Sequence, residues 1–146
     1  MGKAVRVRHA GIVVTDLDKA LWFYGEMLGF QVQRRMVETG PIIEAILALP
    51  GVEVETVKLG LDEEATQLEL LRYHSHSTNQ TCGNRALNSG PTHVALTVDD
   101  LTSLHAKLSA AGIHFNCPPQ QSPDGKVLVT YCTDPEGNLV ELVEVR

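Results

Sequence analysis

Hydrophobic and polar residues along this 146-residue chain follow the same order of patterns twice. In each half a short alternating segment comes first, then a segment with apolar residues at helical spacing, and then three more extended segments. The helical segments are DKALWFYGEML at 18–28 and LTSLHAKLSAA at 101–111, and a glycine follows each of them. The pattern therefore predicts two copies of a strand, helix, strand, strand, strand unit, which is an α+β fold.

Alternating apolar and polar residues predict the three later strands of each half. The last two strands of the second half are joined by DPEGN, which has Pro and Gly where a type I turn favours them. One segment lacks a counterpart: GPIIEAILALPG is predicted to be a short inserted helix or lid that begins at Pro41. The predicted strand segments are FQVQRRMVE, GVEVETVKLG and TQLELLRY in the first half, and IHFNC, KVLVTYCT and NLVELVEV in the second.

These elements predict one βαβββ module at 5–73 and another at 92–146, within a single domain that spans 1–146. A chain of this length forms one domain, or two halves that share a core. The segment 74–91 between the modules is rich in Ser, Asn and Gly, so it is predicted to be a linker.

The two halves also share a short motif, RHAGIVVTDL in the first and THVALTVDDL in the second. When His9 is aligned with His93, the Asp-Leu pair that precedes each helix is aligned as well. Asp100 is predicted to cap its helix, and Thr15 is predicted to form a capping box with Asp18. The duplicated motif therefore marks the strand and the helix start of each module.

Histidine and glutamate occupy matching strand positions in the two modules. Because side chains alternate between the faces of a strand, His9 and His93 lie opposite the more apolar face of their strands, and Glu69 and Glu141 do the same in the last strands. A glutamate among apolar strand residues is costly unless it is paired or bound to a metal. A single strand histidine is more often an ordinary core or surface residue, but four such residues at matching positions predict one shared metal site.

Composition and charge narrow the class of protein. Apolar residues make up 43% of the chain and charged residues 21%, which is typical of a globular domain, and no apolar run approaches the length of a membrane span. The net charge of −6 disfavours nucleic acid as a partner, because nucleic acid binding needs a basic surface. The three cysteines, Cys82, Cys117 and Cys132, show no C-x-x-C spacing, so we expect free thiols and a cytoplasmic protein.

Several of these segments together resemble the vicinal oxygen chelate superfamily, which includes glyoxalases, extradiol dioxygenases, epimerases and bleomycin resistance proteins. The segments are HAGIVVTDLDKALWFYGEMLGF, QLELLRY, THVALTVDDL and DPEGNLVELVE, and the resemblance covers nearly the whole chain. It implies two paired βαβββ modules that form a U-shaped, curved eight-stranded sheet around one divalent metal ion. The implied metal ligands are His9, Glu69, His93 and Glu141, and such a set suits Ni, Co, Zn, Mn or Fe.

The resemblance also implies a chemistry. The motif pattern is most similar to those of glyoxalase I and methylmalonyl-CoA epimerase, in which a small substrate with two adjacent oxygens chelates the metal. Proton transfer next to a carbonyl or thioester, through an enediolate or enolate, then makes the protein a lyase, isomerase or epimerase. Glu141 and Glu69 are the candidate catalytic bases, with Glu141 favoured. The family also implies a homodimer.

Two other functions stay open. One is an Fe(II) extradiol dioxygenase, which uses two histidines and one glutamate; the other is a non-catalytic module that binds a small ligand. Glutathione-dependent glyoxalases carry Arg and Asn where this chain has Val13 and Tyr73. The glutamate that epimerases place before the third strand is replaced by Leu49 and Pro50, with Glu44 as the nearest substitute. The subfamily is therefore not determined by the motifs.

The other charged and histidine side chains are interpreted first as solvated. His74 and His76 are spaced for chelation but lie in a polar segment, and His105 is predicted on an exposed helix face. Of the basic residues, Arg72 and Arg85 are interpreted as the two that could hold an anionic substrate tail. Arg34, Arg35 and Lys58 are interpreted as solvated charges.

Overall fold

The computed structural model describes residues 2–62, 66–79, 85–87 and 89–146. The chain divides into two compact units, Met1–Gln80 and Thr81–Arg146, and each is described here by itself. The predicted turn LDEEA lies partly outside the described residues, and Cys82 lies wholly outside them. No helix in the described ranges is long and apolar enough to span a bilayer.

The first unit contains one four-stranded mixed sheet with the order β1-β4-β3-β2. β1 runs parallel to β4, and the other neighbours are antiparallel. The first helix begins as an α-helix and continues as a π-helical segment, Trp22–Met27. The elements are β1 (His9–Val13), α1 (Leu17–Leu21), β2 (Gln31–Thr39), α2 (Pro41–Leu47), β3 (Glu53–Gly60) and β4 (Gln67–Tyr73).

The second unit repeats this arrangement with the order β5-β8-β7-β6, and β5 is again parallel to β8. Its elements are β5 (His93–Thr97), α3 (Leu101–Ala110), β6 (Gln120–Gln121), β7 (Val127–Thr133) and β8 (Leu139–Val145), preceded by a 3₁₀ turn, Arg85–Leu87. The predicted α+β fold of two βαβββ modules is confirmed. The eight strands are present as two sets of four, each with its own hydrogen-bonded sheet.

The duplicated Asp-Leu motif starts a helix in each unit. Asp16 Oδ1 accepts a hydrogen bond from Lys19 N at 3.0 Å, and Asp100 Oδ1 accepts one from Ser103 N at 2.9 Å. Each carboxylate thereby satisfies a backbone N–H that has no partner inside the helix. The cap predicted at Asp100 is confirmed, whereas the first helix is capped at Asp16, one residue after the predicted Thr15.

The leucine that follows each cap is a core residue. Leu17 is 8% exposed and Leu101 is fully buried, so the motif anchors each helix to its own sheet as well as starting it. In the first unit Ile12 and Val14 are buried, which confirms the predicted apolar face of β1. His9 lies on the other face of β1, because side chains alternate along a strand.

The inserted segment forms α2, with Pro41 in its first turn as predicted. The helix ends at Leu47 because Ala48 adopts a left-handed conformation with φ 54°, so it stops before the glycine at position 51. None of its residues is buried.

One predicted strand is largely absent. The segment IHFNC at 113–117 forms only an isolated bridge, between Phe115 and Cys132, and the strand that pairs with β7 is the two-residue β6. Pro118 and Pro119 follow directly, and proline has no N–H to donate to a sheet. Cys132 and Cys117 are both free thiols, as expected.

Candidate functional site

The first histidine–glutamate pair joins two neighbouring parallel strands. His9 is opposite Gln67 in the register of β1 and β4, so Glu69, two residues further along, lies on the same face. His9 Nε2 is 2.7 Å from Glu69 Oε2. The histidine side chain is 34% exposed and that of Glu69 14%, so the pair is half-buried but open to solvent.

The second unit builds the same pair in the same register. His93 is opposite Leu139 on β8, and Glu141 is again two residues further along. His93 Nε2 is 3.1 Å from Glu141 Oε2, with side-chain exposures of 33% and 22%. The histidines are 84 residues apart and the glutamates 72, yet sheet pairing places both pairs identically within their units.

These pairs fit a divalent metal ion. Nitrogen and oxygen ligands at about 2.1 Å from an ion, at right angles to each other, lie about 3 Å apart, which matches the separations in both pairs. Neither unit gathers three His, Cys, Asp or Glu side chains among its described residues, so each sheet offers two donors. Within the described part of the chain the buried Nδ1 of His9 has no hydrogen-bond partner, unlike an ordinary core histidine.

The two pairs differ in the residue that lies opposite the glutamate on the neighbouring antiparallel strand. Lys58 on β3 is directly opposite Glu69, whereas Tyr131 on β7 is directly opposite Glu141. The Tyr131 hydroxyl is 3.4 Å from His93 Nε2, and the two rings meet edge to face at 5.2 Å. The second pair therefore has a phenol beside it and the first has a cation.

Tyr131 is held in its neutral form. Burial raises the pKa of Tyr131, and the negative charge of Glu141 and a hydrogen bond to it raise it further. The sequence pattern did not single out Tyr131, although counting back through the hairpin around DPEGN places it opposite Glu141.

Three other histidines make contacts within their own units. His74 Nε2 is 3.1 Å from Glu55 Oε2, and His76 Nδ1 is 2.7 Å from the hydroxyl of Ser75. Each of these two histidines therefore contacts a different nearby side chain. His105 was predicted on an exposed helix face; it is half-buried against the ring of Phe115, with centroids 4.4 Å apart.

Arg72, one of the two arginines considered for an anionic substrate tail, does not share a face with the first pair. Arg72 pairs with Glu55 across the sheet, on the opposite face from Glu69, and its guanidinium donates to the carbonyl of Tyr73 at 2.7 Å. The side chain of Arg85 lies outside what the structure describes. Arg72 is therefore on the other face of β4 from Glu69, and the suggestion for Arg85 stays a prediction.

The lowered pKa of Glu55 makes the free energy of unfolding depend on pH, so the contribution of this carboxylate can be measured. A hydrogen bond from Arg35, at 2.6 Å, is the main cause that lowers the pKa of Glu55; burial opposes it, and His74 adds to the lowering. A lowered pKa gives stability that is present above the ordinary value of 4.5 and is lost as pH falls through the folded-state value. Glu55→Gln should therefore lower the free energy of unfolding at pH 7, by about 0.2–1 kcal/mol because water screens the half-exposed Arg35.

Urea titrations of wild type and Glu55→Gln at pH 7 and pH 3 check this expectation. The difference between the two proteins should shrink toward zero at pH 3. Glu53→Gln, on the same strand but with an exposed side chain, is the control and should match wild type at both values. A Glu55→Gln difference that stayed constant with pH would contradict the ion-pair explanation.

The chain is built of two βαβββ modules, each with a histidine and a glutamate on neighbouring parallel strands. The family model described as Glyoxalase/Bleomycin resistance protein/Dioxygenase superfamily matches residues 6–142. The chain belongs to this superfamily.

Its relatives include proteins named as lyases. A probable lactoylglutathione lyase of Synechocystis is 30% identical over 136 residues, which cover 93% of this chain and 92% of that protein. A glyoxalase family protein of Bacillus cereus has the same fold, with a TM-score of 0.87, 24% identity, and coverage of 99% of this chain and 96% of that one. The trypanothione-dependent glyoxalase I of Leishmania major has a TM-score of 0.70 and 24% identity, over 97% and 87% of the two chains.

Proposed function

We propose that this chain is a divalent-metal-dependent, glyoxalase-like lyase, isomerase or epimerase that moves a proton next to a carbonyl or thioester. Its substrate is a small molecule with two adjacent oxygens. The observation that carries the proposal is the duplicated histidine–glutamate pair, built in the same register on both sheets. Relatives named lactoylglutathione lyase, similar over nearly the full chain, support the same chemistry.

The proposed metal ligands are His9, Glu69, His93 and Glu141. When bound, a divalent ion at such ligands supplies Lewis acid chemistry, which stabilises negative charge on a substrate oxygen. The resident ion is Ni, Co, Zn, Mn or Fe.

The side chains of the chain supply the other steps. One glutamate takes the proton from the substrate carbon and returns it, and Glu141 is the proposed base. Tyr131, directly opposite Glu141 on the neighbouring strand, packs its ring against His93 and so helps to hold the second pair in position. Leu71 and Val143, each two residues beyond a glutamate on the same face, place apolar surface beside the carboxylates, which strengthens electrostatic interactions there.

Metal analysis combined with solvent-deuterium exchange tests the function. Purified protein is analysed for bound metals, and the loaded protein is incubated in D₂O with hemithioacetals, 2-oxo acids and acyl-CoA thioesters. Metal-dependent exchange at the carbon next to the carbonyl supports the proposal. Oxygen consumption with a catechol would instead indicate the Fe(II) dioxygenase, and a protein that takes up no metal would indicate the ligand-binding module.

We also propose that the protein is a homodimer. Apolar side chains stay exposed on β2 and α2, among them Val32 and Val37 on the strand and Ile42 and Ile46 on the helix. A second copy of the chain would cover such side chains. Light scattering at micromolar concentration should give twice the mass of 15.9 kDa, and a monomer would remove this proposal.

A further inference from the structure

A row of three charged residues crosses the sheet of the first unit. Glu69 on β4 is directly opposite Lys58 on β3, and Lys58 is directly opposite Arg34 on β2. Residues directly opposite each other in antiparallel strands project from the same face. Lys58 and Arg34 therefore lie on the face of the His9–Glu69 pair, about 5 and 10 Å from Glu69 at the usual strand spacing.

The two cations of this row have no close ionic partner among the residues that the structure describes. Among the described residues, no carboxylate lies within 4.0 Å of the Lys58 ammonium or the Arg34 guanidinium, and no hydrogen bond of either side chain is found. Arg35 is the contrast: on the opposite face, it is bound to Glu55 at 2.6 Å. Lys58 is moreover half-buried, where an unpaired charge is less well hydrated.

The described side chains around the row include two glutamine amides and one acid besides Glu69, and that acid is already hydrogen-bonded. Gln33 forms a bulge in β2, and its amide lies over Gly60, where it accepts a hydrogen bond from Gln67 and donates one to the Asp62 carbonyl at 3.2 Å. The other acid on this face of β2, Glu38, accepts a hydrogen bond from Thr56 at 3.2 Å. Among the described residues, an incoming anion therefore meets two cations that have no ion-pair partner within 4.0 Å, with Glu69 on the strand next to Lys58.

The described strands of the second unit place no cation at the positions that match Lys58 and Arg34. Its residue opposite Glu141 is Tyr131, and the backbone carbonyl of Tyr131 accepts from Asn116 N, in the segment that replaces the predicted strand. The cationic row is therefore specific to the first module, and the repeat alone does not account for it.

We propose that Lys58 and Arg34 bind an anionic group of the substrate, a carboxylate or a phosphate. The inference rests on the proposed function, because the reacting oxygens are taken to bind beside His9 and Glu69. It narrows the substrate class to a small two-oxygen compound whose second anionic group lies several bonds from the reacting carbon. A guanidinium and an ammonium together match such a group in charge and in hydrogen-bond donors.

Three probes test this inference. They share the 2-oxo acid group that is taken to bind beside His9 and Glu69, and they differ in the group at the other end, the tail. They are 2-oxoglutarate, with a carboxylate tail, its 5-amide, with a neutral tail, and 4-phosphono-2-oxobutanoate, with a phosphonate tail. Isothermal titration measures each probe against wild type, Lys58→Gln and Arg34→Gln. Wild type should bind at least one anionic probe about tenfold or more tightly than the amide, because hydrogen bonds to charged groups contribute about 1.5–3 kcal/mol. The stronger of the two anionic probes identifies carboxylate or phosphate as the tail.

Each variant should lose about tenfold in affinity for the anionic probe and leave the affinity for the amide unchanged. Lys58→Arg should keep most of the affinity, and Lys126→Gln, which removes the same charge from an exposed turn of the second unit, should behave as wild type. Thermal unfolding checks that all variants are folded. Equal losses for the anionic and neutral probes, or no preference of wild type for either anionic tail, would overturn the inference.

The same titrations separate this inference from the proposed function. They are repeated on chelator-treated protein, and the metal content of every variant is measured. If the protein holds no metal but still prefers the anionic tail, the metal-dependent function fails and the anion site stands. If the metal binds and catalyses exchange but the tail preference is absent, only the anion site fails.

Discussion

Replacement of His93 by Ala is expected to leave the protein with little bound divalent metal, and Glu141→Ala should have the same effect. Each change removes one of four proposed donors, and a pair that is 3.1 Å apart loses its ability to bind the ion jointly. Affinity should fall about 100-fold or more, since even residues that merely orient metal ligands typically contribute 10–100-fold. Metal analysis after dialysis and titration of the apo protein measure the loss, and wild type should hold one ion per pair of modules.

His114→Ala is the matched control for the histidine change. His114 is exposed, and its backbone carbonyl accepts a hydrogen bond from Thr133 N. Its removal should leave the metal content unchanged, as should His76→Ala. His105 is less suitable as a control, because it packs on Phe115 and its loss would disturb the helix. Retention of metal by His93→Ala together with loss by His114→Ala would show that the ligand assignment is wrong.

Glu141→Gln is expected to retain some metal yet lose proton exchange. An amide oxygen still binds a cation weakly, but it has no basic site to accept a proton from carbon. A positioned general base typically contributes about 10²–10⁴-fold, so the exchange rate should fall by that factor. The rate at which solvent deuterium enters the substrate, followed by NMR at saturating metal, measures the effect.

Glu69→Gln is the comparison that assigns the base. The two carboxylates occupy the same register but have different neighbours, Tyr131 beside Glu141 and Lys58 beside Glu69, so their roles need not be the same. Normal exchange in Glu141→Gln with loss in Glu69→Gln would move the base to Glu69. Unchanged exchange in both variants, with oxygen consumption on a catechol, would favour the dioxygenase.

Most of the fold was predictable because its signals are local. The period-2 alternation of β1, β4, β5 and β8 and the apolar spacing of the helices depend on residues a few positions apart. The cap at Asp100 is also local, since its carboxylate reaches an N–H three residues later. The module repeat followed from these signals, and the histidine and glutamate positions followed from the repeat.

The errors arose where a local pattern competed with another constraint. IHFNC alternates like a strand, but the two prolines that follow it prevent regular pairing with β7, so only the Phe115 bridge remains. The π-helical segment that continues the first helix, Trp22–Met27, was also not predicted, because the apolar spacing fits an ordinary α-helix equally well.

The sequence by itself determined the modules, their strands and helices, and the matching histidines and glutamates, because each of these depends on neighbours along the chain. Only the tertiary structure decided which charged residues stand beside the first pair. The bulge at Gln33 shifts the register of β2 by one residue, so that Arg34 is opposite Lys58 and Arg35 projects from the other face toward Glu55. A shift of one residue exchanges the faces of a strand, and hydrogen bonds between distant segments set it. Two adjacent arginines in the sequence therefore do not reveal which of them lies on the face of His9 and Glu69.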